Sequence, residues 1–290
     1  MLNESSSWPL WPVHGGKPLP SDHTELAFEE LAAPVHDRVV SDVFHPRVFA
    51  YVPKEPNGRA ALVLAGGGYT KLVVGKEGVE VAEWLSSLGF HAFVLVHRFP
   101  CERFGSQAPV DDAIEAIRQI RARAAEFGLD TNRIGVCGLS SGGHLAACLV
   151  ARYPAEWRAP DSAHAHVSHR PDFLIVGYAP ISTNATGRTI IPDKPPLPLP
   201  PPQKQALYEA MQPDAQLLDS PPPAFIVYAA NDAIVPVENA YRLHKALLAR
   251  GGTAELHVFA EAPHGFALRE KELPVSQWLE LCARWFGTLG

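Results

Sequence analysis

One pentapeptide, Gly138-Leu139-Ser140-Ser141-Gly142, limits what this chain can fold into more than any other stretch. It stands directly after the apolar run 133–137 and directly before the helix-like run 143–150. Strand, sharp turn and helix in that order are the setting in which G-x-S-x-G forms a nucleophile elbow. The flanking glycines lack a Cβ, so strand and helix can approach closely while the turn holds a strained backbone. Ser140 is therefore expected at a helix N-terminus, where amide dipoles favour developing negative charge.

The rest of the chain supplies the rhythm that such an elbow needs. Strands are predicted over 60–64, 90–96, 133–138, 172–178, 224–230 and 255–259. Helices are predicted over 77–88, 111–127, 237–250 and 274–286, several of them followed by glycine. The helix over 111–127 has the cleanest periodicity: Ile114, Ile117, Ile120, Ala124 and Phe127 share a face, with acids in the first turn. Alternation of this kind predicts an α/β fold with a mostly parallel sheet and helices on both faces. The 290 residues, 47% hydrophobic, suit one such domain over 48–290, with 1–47 as an N-terminal segment packed on the core.

One stretch breaks the alternation. Residues 179–223 contain Pro192, Pro195, Pro196, Pro198, Pro200, Pro201 and Pro202, a short helix-like piece over 203–211, and Pro221-Pro222-Pro223. Proline fixes φ and removes an amide donor, so this segment cannot be sheet interior. It follows the C-terminal end of a strand, the edge at which open α/β sheets bind ligands. A short proline-rich lid is expected, with a solvated polyproline loop as its alternative.

A serine nucleophile needs a base, and the base needs an orienting acid. In the chain order Ser, Asp/Glu, His, the acid candidate is Asp232, just beyond strand 224–230; Glu238 and Asp219 are less directly placed. The base candidate is His264, just after strand 255–259. Ala65-Gly66-Gly67-Gly68-Tyr69 follows strand 60–64, so an oxyanion hole is expected from the amides of Gly67, Gly68 and Ser141. Tyr69 is the expected pocket-wall residue, with core packing as the competing reading. The glycines are followed by no Lys-Ser/Thr pair and lack G-x-G-x-x-G spacing, which excludes a P-loop and a dinucleotide fingerprint.

No cofactor and no metal are expected. Cys101, Cys137, Cys148 and Cys282 show no ligand spacing, and His164-Ala165-His166-Val167-Ser168-His169 reads as a solvated connector. The net charge of −6 leaves no basic footprint for nucleic acid, and no apolar run is long enough to span a bilayer. The N-terminus has no basic-then-apolar leader, so a cytoplasmic protein is expected, or a secreted or periplasmic one if a leader was removed ahead of Met1. The oligomeric state is left open.

Gly66-Gly67-Gly68-Tyr69, Lys76-Glu77-Gly78, Leu88-Gly89-Phe90, the run 138–146, Asn231-Asp232-Ala233-Ile234-Val235-Pro236 and Pro263-His264-Gly265-Phe266 together resemble the α/β-hydrolase carboxylesterases. The similarity is to the acetyl-xylan-esterase-like branch, related to the hormone-sensitive-lipase group, and covers about 48–286. The chain departs from it at Ala65, where Pro or His is usual, at Ser141, where Ala is common, and at His97-Arg98, where Tyr-Arg is frequent. The resemblance implies a serine carboxylesterase hydrolysing short acyl esters, acetyl above all, of small-molecule or oligosaccharide substrates. General carboxylesterases, lipid-type esterases and serine peptidases share the fold and are the alternatives. The short stretch ahead of residue 60 disfavours a peptidase with an N-terminal gating domain. A binding protein on the same fold is disfavoured by the presence of all three triad residues.

Overall fold

A computed structural model describes residues 7–11, 26–28, 34–182 and 200–290, with only the backbone described at 26–28. Ten strands are present among these residues. They are β1 (Ser7–Pro9), β2 (Leu26–Phe28), β3 (Val40–Val43), β4 (Arg47–Tyr51), β5 (Ala60–Leu64), β6 (His91–Val96), β7 (Ile134–Leu139), β8 (Leu174–Gly177), β9 (Ala224–Ala229) and β10 (Ala254–Phe259). Eight of them form one sheet in the order β1-β4-β6-β5-β7-β8-β9-β10. From β6 to β10 all neighbours are parallel; β4 and β1 add an antiparallel edge. β2 and β3 pair separately.

The helices are α1 (Glu80–Ser87), α2 (Ala108–Ala122), α3 (Ala124–Phe127), α4 (Ser141–Cys148), α5 (Pro202–Ala210), α6 (Pro213–Gln216), α7 (Glu238–Ala249) and α8 (Trp278–Phe286). Among the described residues no helix is long and apolar enough to cross a membrane. Strands β5, β6, β7 and β9 are buried at every position, as strands covered on both faces must be. At the sheet edge β10 is only half-buried and carries Glu255, which blunts it against strand addition.

The direction of winding places the site. From β5 the chain moves one way through α1 to β6. From β6 onward it moves the other way, through α2, α4 and α7, to β10. Right-handed crossovers then put α1 on one face and α2, α4 and α7 on the other. The reversal leaves a crevice at the carboxyl ends of β5 and β7, the topological switch point where open α/β sheets bind ligands. Leu64 of β5 lies opposite Gly138 of β7, so the glycine loop and the elbow leave the sheet side by side.

Three expected elements differ in detail. The helix expected over 111–127 breaks at Arg123 into α2 and α3, which ends on Gly128 in the left-handed region. The helix expected over 77–88 starts as a π-turn, Gly75–Val79, and at its first residue the His36 backbone leaves no room for a side chain. The helix over 274–286 begins with one 3-10 turn, Pro274–Gln277. Strands β1, β2, β3 and β4 were not expected. β1 is held to α2 by Trp8 Nε1, which donates to Gln119 Oε1 at 2.8 Å, and by the Arg123 guanidinium 4.0 Å above the Trp8 ring. Trp11 Nε1 donates to Asp112 Oδ1 at 2.7 Å.

Within the segment expected to form a lid, the described parts are 179–182 and 200–223; Pro192, Pro195, Pro196 and Pro198 lie outside the described residues. Its helix α5 is anchored rather than loose. Leu207, Tyr208 and Met211 are buried, and Tyr208 packs on His144 of α4 at 4.7 Å between ring centroids.

Candidate active site

The elbow has the geometry its sequence calls for. Ser140 has φ 52° and ψ −124°, a conformation that costs a non-glycine residue of the order of 1–3 kcal/mol. Neighbouring glycines make it possible: a Cβ at Gly138 would overlap the Gly142 carbonyl, and one at Gly142 would overlap the Leu64 carbonyl. α4 begins at Ser141, the residue after the nucleophile. As the first helical residue, Ser141 has no intrahelical acceptor for its amide.

The three separate side chains converge. Ser140 Oγ stands 2.9 Å from His264 Nε2, and His264 Nδ1 stands 2.7 Å from Asp232 Oδ2. A carboxylate partner on Nδ1 requires the proton there, so Nε2 is the acceptor and the serine hydroxyl the donor. The Asp232 side chain is 1% exposed, and that of His264 is 19% exposed. Burial alone would raise the Asp232 carboxyl. The His264 hydrogen bond, the Val235 amide, the His264 charge and the Ile234 amide outweigh it, and the carboxyl lies below its ordinary range. The alternatives stand elsewhere: Asp219 is exposed and pairs with Arg250 at 3.0 Å, and Glu238 opens α7 in solvent.

The glycine loop lies beside the nucleophile. Gly67 has φ 132°, and a Cβ there would overlap the Lys71 carbonyl, so no other residue fits. The Gly67 amide has no acceptor among the described residues. Gly68 N donates to Ser141 Oγ at 2.9 Å, so in this state the Gly68 amide is engaged by a side chain of the elbow helix. Across from Gly68 stands Lys204 of α5, its Nζ 3.6 Å from where a Gly68 side chain would begin. Burial holds that ammonium below the usual lysine range.

Tyr69, expected at a pocket wall, lies instead in the core at 1% exposure. Its hydroxyl meets His144 Nδ1 at 2.8 Å, while His144 Nε2 donates to the Met211 carbonyl at 3.0 Å. The second bond fixes the tautomer, so Tyr69 donates to His144. The pair ties the glycine loop, the elbow helix and the anchor of α5 together from beneath. Arg98 is likewise structural. Its backbone amide and guanidinium engage Asp112, the closest contact being 2.6 Å. His164 pairs with Glu115 at 2.8 Å, and among the described residues no cluster of His, Cys, Asp and Glu is arranged to hold a metal.

Two side chains that the sequence reading left without a role border the site. Glu77 is buried at 4% exposure, and its Oε2 accepts the Gly66 amide at 2.7 Å. Tyr178, with φ 35°, directly follows β8 and donates to Glu77 Oε1 at 3.1 Å. Its ring stands edge-on to His264 at 5.2 Å. The signal for both was positional: a carboxyl between Gly75 and Gly78, and an aromatic residue at the carboxyl end of a central strand.

Known proteins share the fold and much of the sequence. An acetyl ester-xyloside bifunctional hydrolase from Caldicellulosiruptor lactoaceticus superposes with a TM-score of 0.72 at 30% identity, covering 98% of this chain and 96% of that one. An acetylxylan esterase of Xylanibacter ruminicola is 28% identical over 240 residues, 78% of this chain and 45% of its own length. An endo-1,4-beta-xylanase B of Butyrivibrio fibrisolvens is 29% identical over 237 residues, 79% of this chain and 36% of its own length. This chain thus spans less than half the length of either curated relative. The fold is the α/β-hydrolase fold, and the expected kinship with acetyl-xylan-esterase-like proteins is the one found. The BD-FAE family model matches residues 50–247, well over half of the sequence, and the chain belongs to the BD-FAE family.

Proposed function

We propose that this chain is a serine carboxylesterase that removes short acyl groups, acetyl above all, from carbohydrates through an acyl-enzyme. The observation that carries the reading is the unbroken hydrogen-bonded chain from Ser140 Oγ through His264 to Asp232 Oδ2, at 2.9 and 2.7 Å. It lies at the carboxyl edge of the sheet beside a glycine loop whose Gly67 amide has no acceptor among the described residues.

In the proposed reaction Ser140 Oγ attacks the ester carbonyl while His264 Nε2 takes its proton. The carbonyl oxygen becomes an oxyanion facing the Gly67 and Ser141 amides. The Gly68 amide joins them once it leaves Ser141 Oγ. Asp232 holds the Nδ1 proton in place and stabilises the imidazolium. His264 then protonates the departing alcohol oxygen, and the C–O bond breaks to leave acyl-Ser140. A water molecule, deprotonated by His264, attacks the acyl carbonyl; collapse returns the proton to Ser140 and releases the carboxylic acid. Every bond change is served by these side chains and water.

The carbohydrate alcohol is supported by the named activities of the relatives and by the anchored, short α5 segment. That segment is proposed to form the rim of the cleft, with Lys204 facing the glycine loop. The test is a hydrolysis panel of acetylated xylo-oligosaccharides, feruloyl esters, acyl esters of rising chain length and peptides. The reading expects kcat/KM to be highest for acetyl-carbohydrates and to fall with acyl length. A preference for long acyl chains on simple alcohols makes it a lipid-type esterase, and cleavage of peptides alone overturns the ester assignment.

A further inference from the structure

Glu77 takes no part in the proton transfers above, yet its two oxygens bind two different walls of the site. Oε2 accepts the Gly66 amide at 2.7 Å, and Oε1 accepts the Tyr178 hydroxyl at 3.1 Å. Both partners are donors, which fits the acceptor-only carboxylate. A side chain begun at Gly66 would meet Glu77 Oε2 at 2.5 Å on one side and Ser140 Cβ at 2.7 Å on the other. One glycine therefore separates the carboxyl from the nucleophile. Glu77 Oε1 also lies 3.5 Å from the side-chain position of Gly265, the residue after His264, and the Tyr178 ring bridges the remaining gap to the imidazole. The carrier of Glu77 is the π-turn Gly75–Val79, a rare local form found frequently at functional sites.

We propose that Glu77 is a positioning residue for ester cleavage: its carboxylate fixes the Gly66 amide so that the Gly67 amide faces the reacting carbonyl, and it places a second negative charge behind His264, across the Tyr178 ring, as the imidazolium forms. The inference rests on the serine-esterase reading above. Burying a carboxyl is costly unless its oxygens are satisfied, and here both are. Burial raises its pKa above the ordinary glutamate value, and the Gly66 and Tyr178 bonds, then Lys76 and His264, only partly offset that. The charged and titratable groups facing His264 are Asp232 from the loop after β9, Ser140 from the elbow, Tyr178 from the turn after β8, and Glu77 and Lys76 from the π-turn. Lys76 opposes Glu77 in wild type and variant alike, so removing the carboxylate charge isolates its effect.

Glu77→Gln keeps the size and a carbonyl for the Gly66 amide while removing the charge. Hydrolysis of an acetyl ester is measured across the pH range, with kcat normalised to sites titrated by a fluorophosphonate. Normalised kcat should fall about tenfold with KM within about twofold, as for loss of an interaction made only in the transition state. The acid limb of kcat/KM should move to lower pH by about half a unit or more, because losing a nearby negative charge disfavours the protonated imidazole. A residue that only supports the fold would lower the number of titrated sites and leave the limb where it is. Tyr178→Phe is the second arm, and it decides the matter alone if Glu77→Gln does not fold. It should lower normalised kcat several-fold with the limb in place, since the carboxylate remains. The proposal is overturned by an unmoved limb or a normalised kcat within twofold of wild type in Glu77→Gln, or by a wild-type kcat in Tyr178→Phe. Wild-type enzyme run alongside separates the two levels. If it neither hydrolyses the ester nor labels, the esterase reading falls; if it does both and the variants match it, only the role of Glu77 falls.

Discussion

Asp232 meets His264 at 2.7 Å with one carboxylate oxygen, and its own loop fills the other. Oδ1 accepts the amides of Ile234 and Val235 at 2.8 and 2.9 Å. The carboxylate is left with one orientation, and the imidazole with one tautomer. In Asp232→Asn the loop bonds survive, but the side-chain amide can offer His264 a donor and so favour the wrong tautomer. By comparison with other triads, kcat should drop about 10⁴-fold with little change in KM. Steady-state kinetics on an acetyl ester checks this, and a kcat within tenfold of wild type would remove Asp232 from the reaction.

Tyr69 tests the boundary between site and core. Because its hydroxyl serves His144 and its side chain is buried, Tyr69→Phe should cost about 1–3 kcal/mol of stability by leaving a buried imidazole nitrogen unpaired. KM for acetyl esters should stay as in wild type. A several-fold rise in KM with unchanged urea denaturation would return Tyr69 to the pocket wall.

His144 gives stability a pH dependence. Burial holds its imidazole down to about 4 from the ordinary value of 6.5. The unfolded chain therefore binds a proton between these values that the folded protein refuses, so stability falls as pH drops through the window and the effect levels off below it. At about 1.4 kcal/mol per unit, the loss is of the order of 3 kcal/mol. Burial and the charges of Arg118 and Arg121 lower His169 to a similar value, so the two effects overlap. The measurement is urea denaturation of wild type and His144→Gln from about pH 7 to pH 4. The variant should show a distinctly shallower decline, and equal slopes would contradict the account.

Asp112 anchors the N-terminal edge. It is fully buried and accepts from the Arg98 amide, the Arg98 guanidinium and Trp11 Nε1. Asp112→Ala strands a mostly buried guanidinium and should cost about 3–5 kcal/mol. Urea denaturation measures the loss, and Trp11 fluorescence should report greater solvent exposure. A loss below 1 kcal/mol would mean that water replaces the carboxylate.

How much of this was legible depended on whether a feature is local. Strands β5, β7 and β9 stand out as apolar runs because both their faces are covered, and Ser140, Asp232 and His264 follow from the loops that leave the sheet's carboxyl edge. β1 and β4 were missed because their pairing sets Ser7 against Phe49, an antiparallel edge no local pattern announces. The π-turn was hidden for a similar reason: Gly75 is required by the backbone of His36, far back in the chain. Tyr69 and Glu77 show the commonest gap. Their sequence neighbours place them at the glycine loop and at the start of a helix, but not the direction of their side chains. That direction sends Tyr69 into the core and Glu77 toward the site.

The most direct test of the whole account is Ser140→Ala, assayed on an acetylated xylo-oligosaccharide and with a fluorophosphonate probe beside wild type. Wild type should hydrolyse the ester and take up one probe per chain. The variant should lose about 10⁴- to 10⁶-fold in turnover and take up none, while keeping its denaturation midpoint. Turnover in Ser140→Ala close to that of wild type would contradict the assignment of Ser140 as the nucleophile.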